Sequence, residues 1–143
     1  MTIAVEKVLY TAKATAQGGR DGKVASNDGK LDVVVAPPVE MGGDGKGTNP
    51  EQLFAAGYAA CFHSALTVIA RRSRQDAEGS TVTAEVGIGP INGGAGYGLE
   101  VVLEVSLPGT DRGAAEELVA RAHEVCPYSN ATRGNLKVDL RVV

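Results

Sequence analysis

The sequence predicts an α+β fold with mainly antiparallel sheets and one long central helix packed along a sheet face. Three observations carry that expectation. Three strand-like stretches come before any helical pattern. An apolar run from Leu53 to Ala70 is too long for a strand. Two period-two alternations, joined by Asn92-Gly93-Gly94, follow it. The order reads β-β-β-α-β-β-α-β, with no internal repeat, linker or second domain, so residues 1–143 are expected to form one domain. A chain of this length buries about two thirds of the surface its unfolded form exposes and needs no staple.

Ile3 to Gln17 reads as a long strand ending at Gly18-Gly19-Arg20-Asp21-Gly22, a turn rich in residues that tolerate positive φ. Lys23 to Ser26 and Leu31 to Ala36 flank Asn27-Asp28-Gly29, and Asp-Gly is a strong hairpin signal. Met41 to Gly47 is glycine-rich but lacks the Gly-Lys-Ser/Thr ending of a phosphate loop, and it reads as a connection. Thr48 or Asn49 then caps a helix with Pro50 in its first position and Glu51 at the positive end of its dipole.

The Leu53–Ala70 helix is apolar almost all round and long enough for a membrane span to be weighed. His63, Ser64 and Thr67 interrupt it and Arg71 and Arg72 end it, so a core helix is the expectation. Val82, Ala84, Val86 and Ile88 share one strand face, as do Leu99, Val101, Leu103, Val105 and Leu107. Thr110 can cap a second helix, on which Ala115, Leu118, Val119, Ala122 and Cys126 recur at helical spacing; Pro127 ends it. Leu136, Val138, Leu140 and Val142 close the chain as a half-buried strand.

Fourteen basic against seventeen acidic residues give a formal charge of −3, with no basic cluster beyond Arg71, Arg72 and Arg74. Neither nucleic acid nor an anionic membrane is expected as partner. Met1 to Lys13 mixes charged and apolar residues, unlike a secretory signal, and a cytoplasmic location is expected. A lasting structural disulfide is not expected in that reducing compartment, which turns attention to what Cys61 and Cys126 do.

A zinc site needs about four ligands, typically in paired spacings; Cys61 and His63, two apart, fall on different sides of a helix, while His123 and Cys126, three apart, could touch, and no metal or bound cofactor is expected. A Cys-His hydrolase would need an orienting partner for a histidine, and the sequence offers none that stands out. A thiol redox pair uses more of what is present. Cys61 lies in mid-helix, where apolar surroundings raise a thiol pKa, so reactivity calls for a nearby cation. Arg20, in its glycine-flanked turn, is the candidate, because arginine stays charged even when partly buried. Glu51 would oppose a thiolate directly but could hold the Arg20 guanidinium, so its role is indirect.

Asn49-Pro50-Glu51-Gln52-Leu53-Phe54-Ala55-Ala56-Gly57-Tyr58-Ala59-Ala60-Cys61-Phe62 and Cys126-Pro127-Tyr128-Ser129-Asn130-Ala131-Thr132-Arg133-Gly134-Asn135 resemble both signature motifs of the organic hydroperoxide resistance proteins. These are a branch of the family that also contains the osmotically inducible protein C. The likeness runs from the first strand to the last. It implies thiol-dependent reduction of organic hydroperoxides, with Cys61 attacking the peroxide and Cys126 resolving the product. It also implies a dihydrolipoyl dithiol, free as dihydrolipoamide or on a lipoylated protein, as reductant. Arg20 matches the family's activating arginine and Glu51 its partner carboxylate. An OsmC-like fold and an intertwined homodimer with two interface sites are implied as well.

Four of the six aromatic residues, Phe54, Tyr58, Phe62 and Tyr128, lie in the two cysteine segments and suggest an apolar pocket favouring alkyl peroxides, with ordinary core filling as the alternative. A redox sensor or a stress protein without turnover is the competing function, although a sensor is more often joined to an output domain. Glu51 and Cys61 are ten positions apart, about 15 Å of rise and roughly 80° of rotation on a straight helix. A kink at Gly57, a helix start after Glu51, or a partner subunit bringing Glu51 near Cys61 of the other chain would relieve that distance. The partner subunit is the expectation.

Overall fold

The computed structural model describes residues 2–143, in two compact units divided between Pro50 and Glu51. The N-terminal unit is a three-stranded antiparallel sheet in the order β1 (Ala14–Gln17), β2 (Gly22–Ser26), β3 (Asp32–Val35). The β2–β3 turn is closed by Asp28, whose Oδ1 accepts from Ser26 Oγ and from the Lys30 amide; these bonds hold its carboxyl below the ordinary value, the Ser26 contribution being the larger.

The expected strand from Ile3 is confined to Ala14–Gln17. β1 can pair only with β2, whose five residues set the length of the ladder. Upstream of it Ile3, Val5, Val8, Leu9 and Tyr10 stand 66–89% exposed. The glycine-rich connection is a place of close backbone approach. A Cβ on Gly43 would fall 2.0 Å from the Pro37 carbonyl oxygen, and one on Gly47 would fall 2.7 Å from that of Val34. That proximity lets Thr48 bond both ways to β3, its amide to Val34 O and its carbonyl to the Ala36 amide.

In the second unit α1 (Pro50–Arg72) lies on a sheet of order β4 (Thr81–Ile91), β5 (Gly96–Ser106), β6 (Val138–Val142). β4 and β5 form the expected antiparallel hairpin, with Val82, Ala84, Val86 and Ile88 opposite Val105, Leu103, Val101 and Leu99. β6 joins β5 in parallel, because the chain crosses back through α2 (Arg112–Val125) and α3 (Pro127–Thr132). Tyr58, Phe62, Leu66, Ile69 and Ala70 of α1 are buried with Val101, Leu103 and Val105 of β5 and Ala115, Leu118, Val119 and Ala122 of α2. By length and composition α1 could cross a membrane, but this buried stripe is what a core helix shows.

Two local readings are corrected. The N-cap of α2 is Asp111, whose carboxylate accepts from the Ala114 amide at 2.9 Å; Thr110 instead donates to the Asp76 carbonyl. Cys126 is fully buried with the apolar face of α2, as expected, but it stands outside the helix, at the break between α2 and α3, with extended dihedrals. Pro127 explains both facts, since it disfavours helical backbone in the residue before it and suits the first position of a new helix. Asp111→Ala should lower stability by about 1 kcal/mol, read as a fall in the urea midpoint at unchanged slope. A midpoint equal to that of the wild type would show that the cap contributes nothing.

Candidate active site

Cys61 and Cys126, 65 positions apart, are brought together by the packing of α1 against the α2–α3 arm. The Cys126 thiol donates to Cys61 Sγ at 3.7 Å, and both are free thiols. Their settings differ. Cys126 is fully buried, whereas Cys61 is half-buried and borders an open groove of about 440 Å³. The groove is walled by Ala65, Val68 and Ile69 of α1 and by Val125 and Pro127 across from them, with Arg72 at the C-terminal end of the α1 wall. Of the four aromatic residues expected at a pocket, Tyr58 and Phe62 are wholly buried core, and none of the four lines this groove. Its apolar character is aliphatic.

Burial pushes the Cys61 thiol above its ordinary pKa, and the neighbouring Cys126 thiol pushes the same way; the nearby Tyr128 backbone amide opposes them. That amide belongs to the first turn of α3, so the break at Cys126 supplies both the second thiol and an amide near the first. Sequence reasoning did not find this amide. Cys-Pro was its only signal, marking where a helix must stop and another can start.

Around Cys126 lies a set of bonded side chains that was also not anticipated. The Tyr58 hydroxyl is 2.8 Å from Ser129 Oγ and 3.1 Å from Thr132 Oγ1, and Ser129 Oγ is 2.8 Å from His123 Nδ1. Arg133 donates to the Asn130 side chain and to the His123 carbonyl. Burial first, and the Arg133 charge second, hold His123 below the ordinary imidazole value, with Glu124 opposing, so the ring is neutral at pH 7. A neutral His123 protonated on Nε2 can accept from Ser129, which in turn accepts from Tyr58, and no buried side-chain polar atom among the described residues lacks a partner. His63 bonds Ser80 at 2.9 Å instead of a thiol.

Arg20 lies in the exposed turn between β1 and β2, where Gly18 and Gly19 adopt positive φ. Glu51 sits in the first turn of α1. α1 begins before Glu51 and runs unbroken through Gly57 to Arg72, so neither a late helix start nor a kink shortens the path from Glu51 to Cys61. Gly57 instead makes room for a neighbour. A Cβ there would meet the Tyr128 hydroxyl at 2.7 Å, so its small size admits the α3 ring.

A family model described as OsmC-like protein matches residues 43–141. An organic hydroperoxide resistance protein of Xanthomonas axonopodis pv. citri is 53% identical over 137 residues, covering 94% of this chain and 95% of the relative. The chain belongs to the OsmC-like family, on its organic hydroperoxide resistance branch. The crystal structure of the organic hydroperoxide resistance protein OhrB of Bacillus subtilis superposes with a TM-score of 0.87 at 45% identity, covering 95% of this chain and 100% of that one. The branch member from Legionella pneumophila gives a TM-score of 0.90 at 50% identity, covering 95% and 98%. This family fold is the α+β arrangement of antiparallel sheets and a long helix expected from the sequence.

The unequal burial of the thiols has a direct consequence. In the native reduced protein, iodoacetamide should alkylate Cys61 at least about tenfold faster than Cys126, as resolved by peptide mass spectrometry. Equal labelling would contradict the geometry.

Proposed function

We propose that the chain is a thiol-dependent peroxidase that reduces organic hydroperoxides to alcohols. The observation that carries this reading is the 3.7 Å approach of a half-buried thiol on an apolar groove to a fully buried one. The Cys61 thiolate attacks the peroxide oxygen distal to the alkyl group. The O–O bond breaks, the alkoxide leaves and takes a proton as the alcohol, and Cys61 becomes a sulfenic acid. The Cys126 sulfur then displaces the sulfenic hydroxyl as water and forms the Cys61–Cys126 disulfide. A dithiol of the dihydrolipoyl type, as dihydrolipoamide or on a lipoylated protein, opens this disulfide by exchange and leaves as its own cyclic disulfide.

Several features support the assignment of roles. Cys61 borders the groove that an alkyl chain could enter, and Cys126 is shielded, as suits a thiol that meets only the sulfenic acid. Aliphatic walls favour an alkyl hydroperoxide over hydrogen peroxide, each buried methylene being worth about 0.8 kcal/mol. Since burial raises the Cys61 pKa, a thiolate requires a cation, and the motif match gives that role to Arg20 with Glu51 as its carboxylate partner.

The working unit in this reading is a cytoplasmic homodimer. The unbroken helix between Glu51 and Cys61 favours a site to which a second chain contributes. The exposed apolar residues Ile3, Val5, Leu9 and Tyr10 suit a segment that a second copy covers.

Consumption of cumene hydroperoxide with dihydrolipoamide tests the reading, with faster turnover than on hydrogen peroxide expected; no consumption would leave the redox-sensor alternative. After one equivalent of peroxide Cys126→Ser should carry a sulfenic acid or mixed disulfide at Cys61, whereas Cys61→Ser should leave Cys126 unmodified. Equal oxidation in both variants would remove the assignment. Arg20→Met should keep the fold, raise the Cys61 pKa and slow the peroxide step, each unit of pKa corresponding to about 1.4 kcal/mol. An unchanged thiol pKa together with an unchanged rate would contradict the role of Arg20.

A further inference from the structure

Cys126 occupies a break between two helices, and its sulfur is joined to Cys61 by nothing stronger than a thiol hydrogen bond. Something else must fix the arm that carries it. Tyr58 precedes Cys61 by three residues on α1, close to one turn, and its side chain is completely buried. The Tyr58 hydroxyl reaches Ser129 at 2.8 Å and Thr132 at 3.1 Å, both buried and both on α3. Ser129 passes the connection to His123 in the last turn of α2 at 2.8 Å. One hydroxyl on the Cys61 helix is therefore tied to both sides of the break at Cys126.

This cluster is not needed to fill the core. A phenylalanine would occupy nearly the same volume and keep the ring contacts of Tyr58 with Phe54 at 6.1 Å and Tyr128 at 5.6 Å. The hydroxyl instead adds direction, because a hydrogen bond specifies where α3 sits along α1 while apolar packing leaves more freedom. We propose that Tyr58 is a positioning residue for the resolving step: through Ser129 and Thr132 it holds the Cys126–Pro127 break against α1, so that the Cys126 thiol stays within reach of the Cys61 sulfur. The inference rests on the thiol-peroxidase reading above.

The role predicts a split between two steps of one reaction. In Tyr58→Phe, the rate at which cumene hydroperoxide oxidises Cys61 should stay within about twofold of the wild type, because the hydroxyl touches neither Cys61 nor the groove. Condensation with Cys126 should slow by about tenfold or more, as a displaced reacting group loses its proximity. Cys61 should then accumulate sulfinic acid at peroxide excesses that leave the wild type as disulfide. Should Tyr58→Phe fail to fold, Ser129→Ala carries the same test, with the same split expected. A disulfide step at the wild-type rate, or both steps slowed by one factor, overturns the proposal.

Diamide, which oxidises paired thiols to a disulfide without peroxide, separates this proposal from the reading beneath it. A wild type that consumes no hydroperoxide, paired with a Tyr58→Phe protein that closes its disulfide more slowly in diamide, would defeat the peroxidase and keep the positioning role. A wild type that turns over, with a variant equal to it in both oxidants, would do the reverse.

Discussion

The approach of two sulfur atoms to 3.7 Å depends on a backbone break. Had α2 continued past Val125, Cys126 would have stayed on its face and α3 would not have turned toward α1. Pro127 forbids that continuation. The same break sets the Tyr128 amide of α3 near Cys61 and brings Ser129 and Thr132 to Tyr58. The rest of the second unit serves to hold α1 still beneath this arm. Its buried stripe from Tyr58 to Ala70 is fixed against β5 and α2, so the helix that carries Cys61 has little freedom to rotate.

Placing a thiol in such a setting has an electrostatic cost. Partial burial removes some of the water that would stabilise a thiolate, and the Cys61 pKa rises. One backbone amide is a partial remedy, and a charge is the fuller one. In the proposed reading that charge is the Arg20 guanidinium. In that reading the second thiol limits the life of a sulfenic acid formed on Cys61.

Much of this was legible in the sequence where one residue's neighbours along the chain decide its place. The β4–β5 alternation, the Asn-Gly-Gly turn and the start of α1 at Pro50 all rest on local periodicity or backbone chemistry. The long first strand was not borne out, because strand propensity from Ile3 onward has no adjacent strand of this chain beyond β2 to bond with. Thr110 and Asp111 are adjacent capping residues, and pattern alone does not separate them. The cysteines were legible as a pair, but the nearness of the Tyr128 amide to Cys61 and the hydroxyl cluster were not. Both depend on how α3 docks on α1, which is set by tertiary packing and not by the spacing of any motif. For Tyr58 and Phe62 the alternative of core filling holds: both are buried in the cluster that contains Cys126 and touches Cys61.

Whether Cys61 and Cys126 form one reaction centre is tested most directly by a stoichiometric titration. Reduced protein is treated with one equivalent of cumene hydroperoxide under anaerobic conditions, and thiols, cumyl alcohol and intact mass are measured together. A single centre predicts loss of both thiols, one equivalent of alcohol, and a protein two hydrogens lighter with a Cys61–Cys126 peptide link. Unreacted hydroperoxide, or loss of one thiol with the other left free, would contradict it.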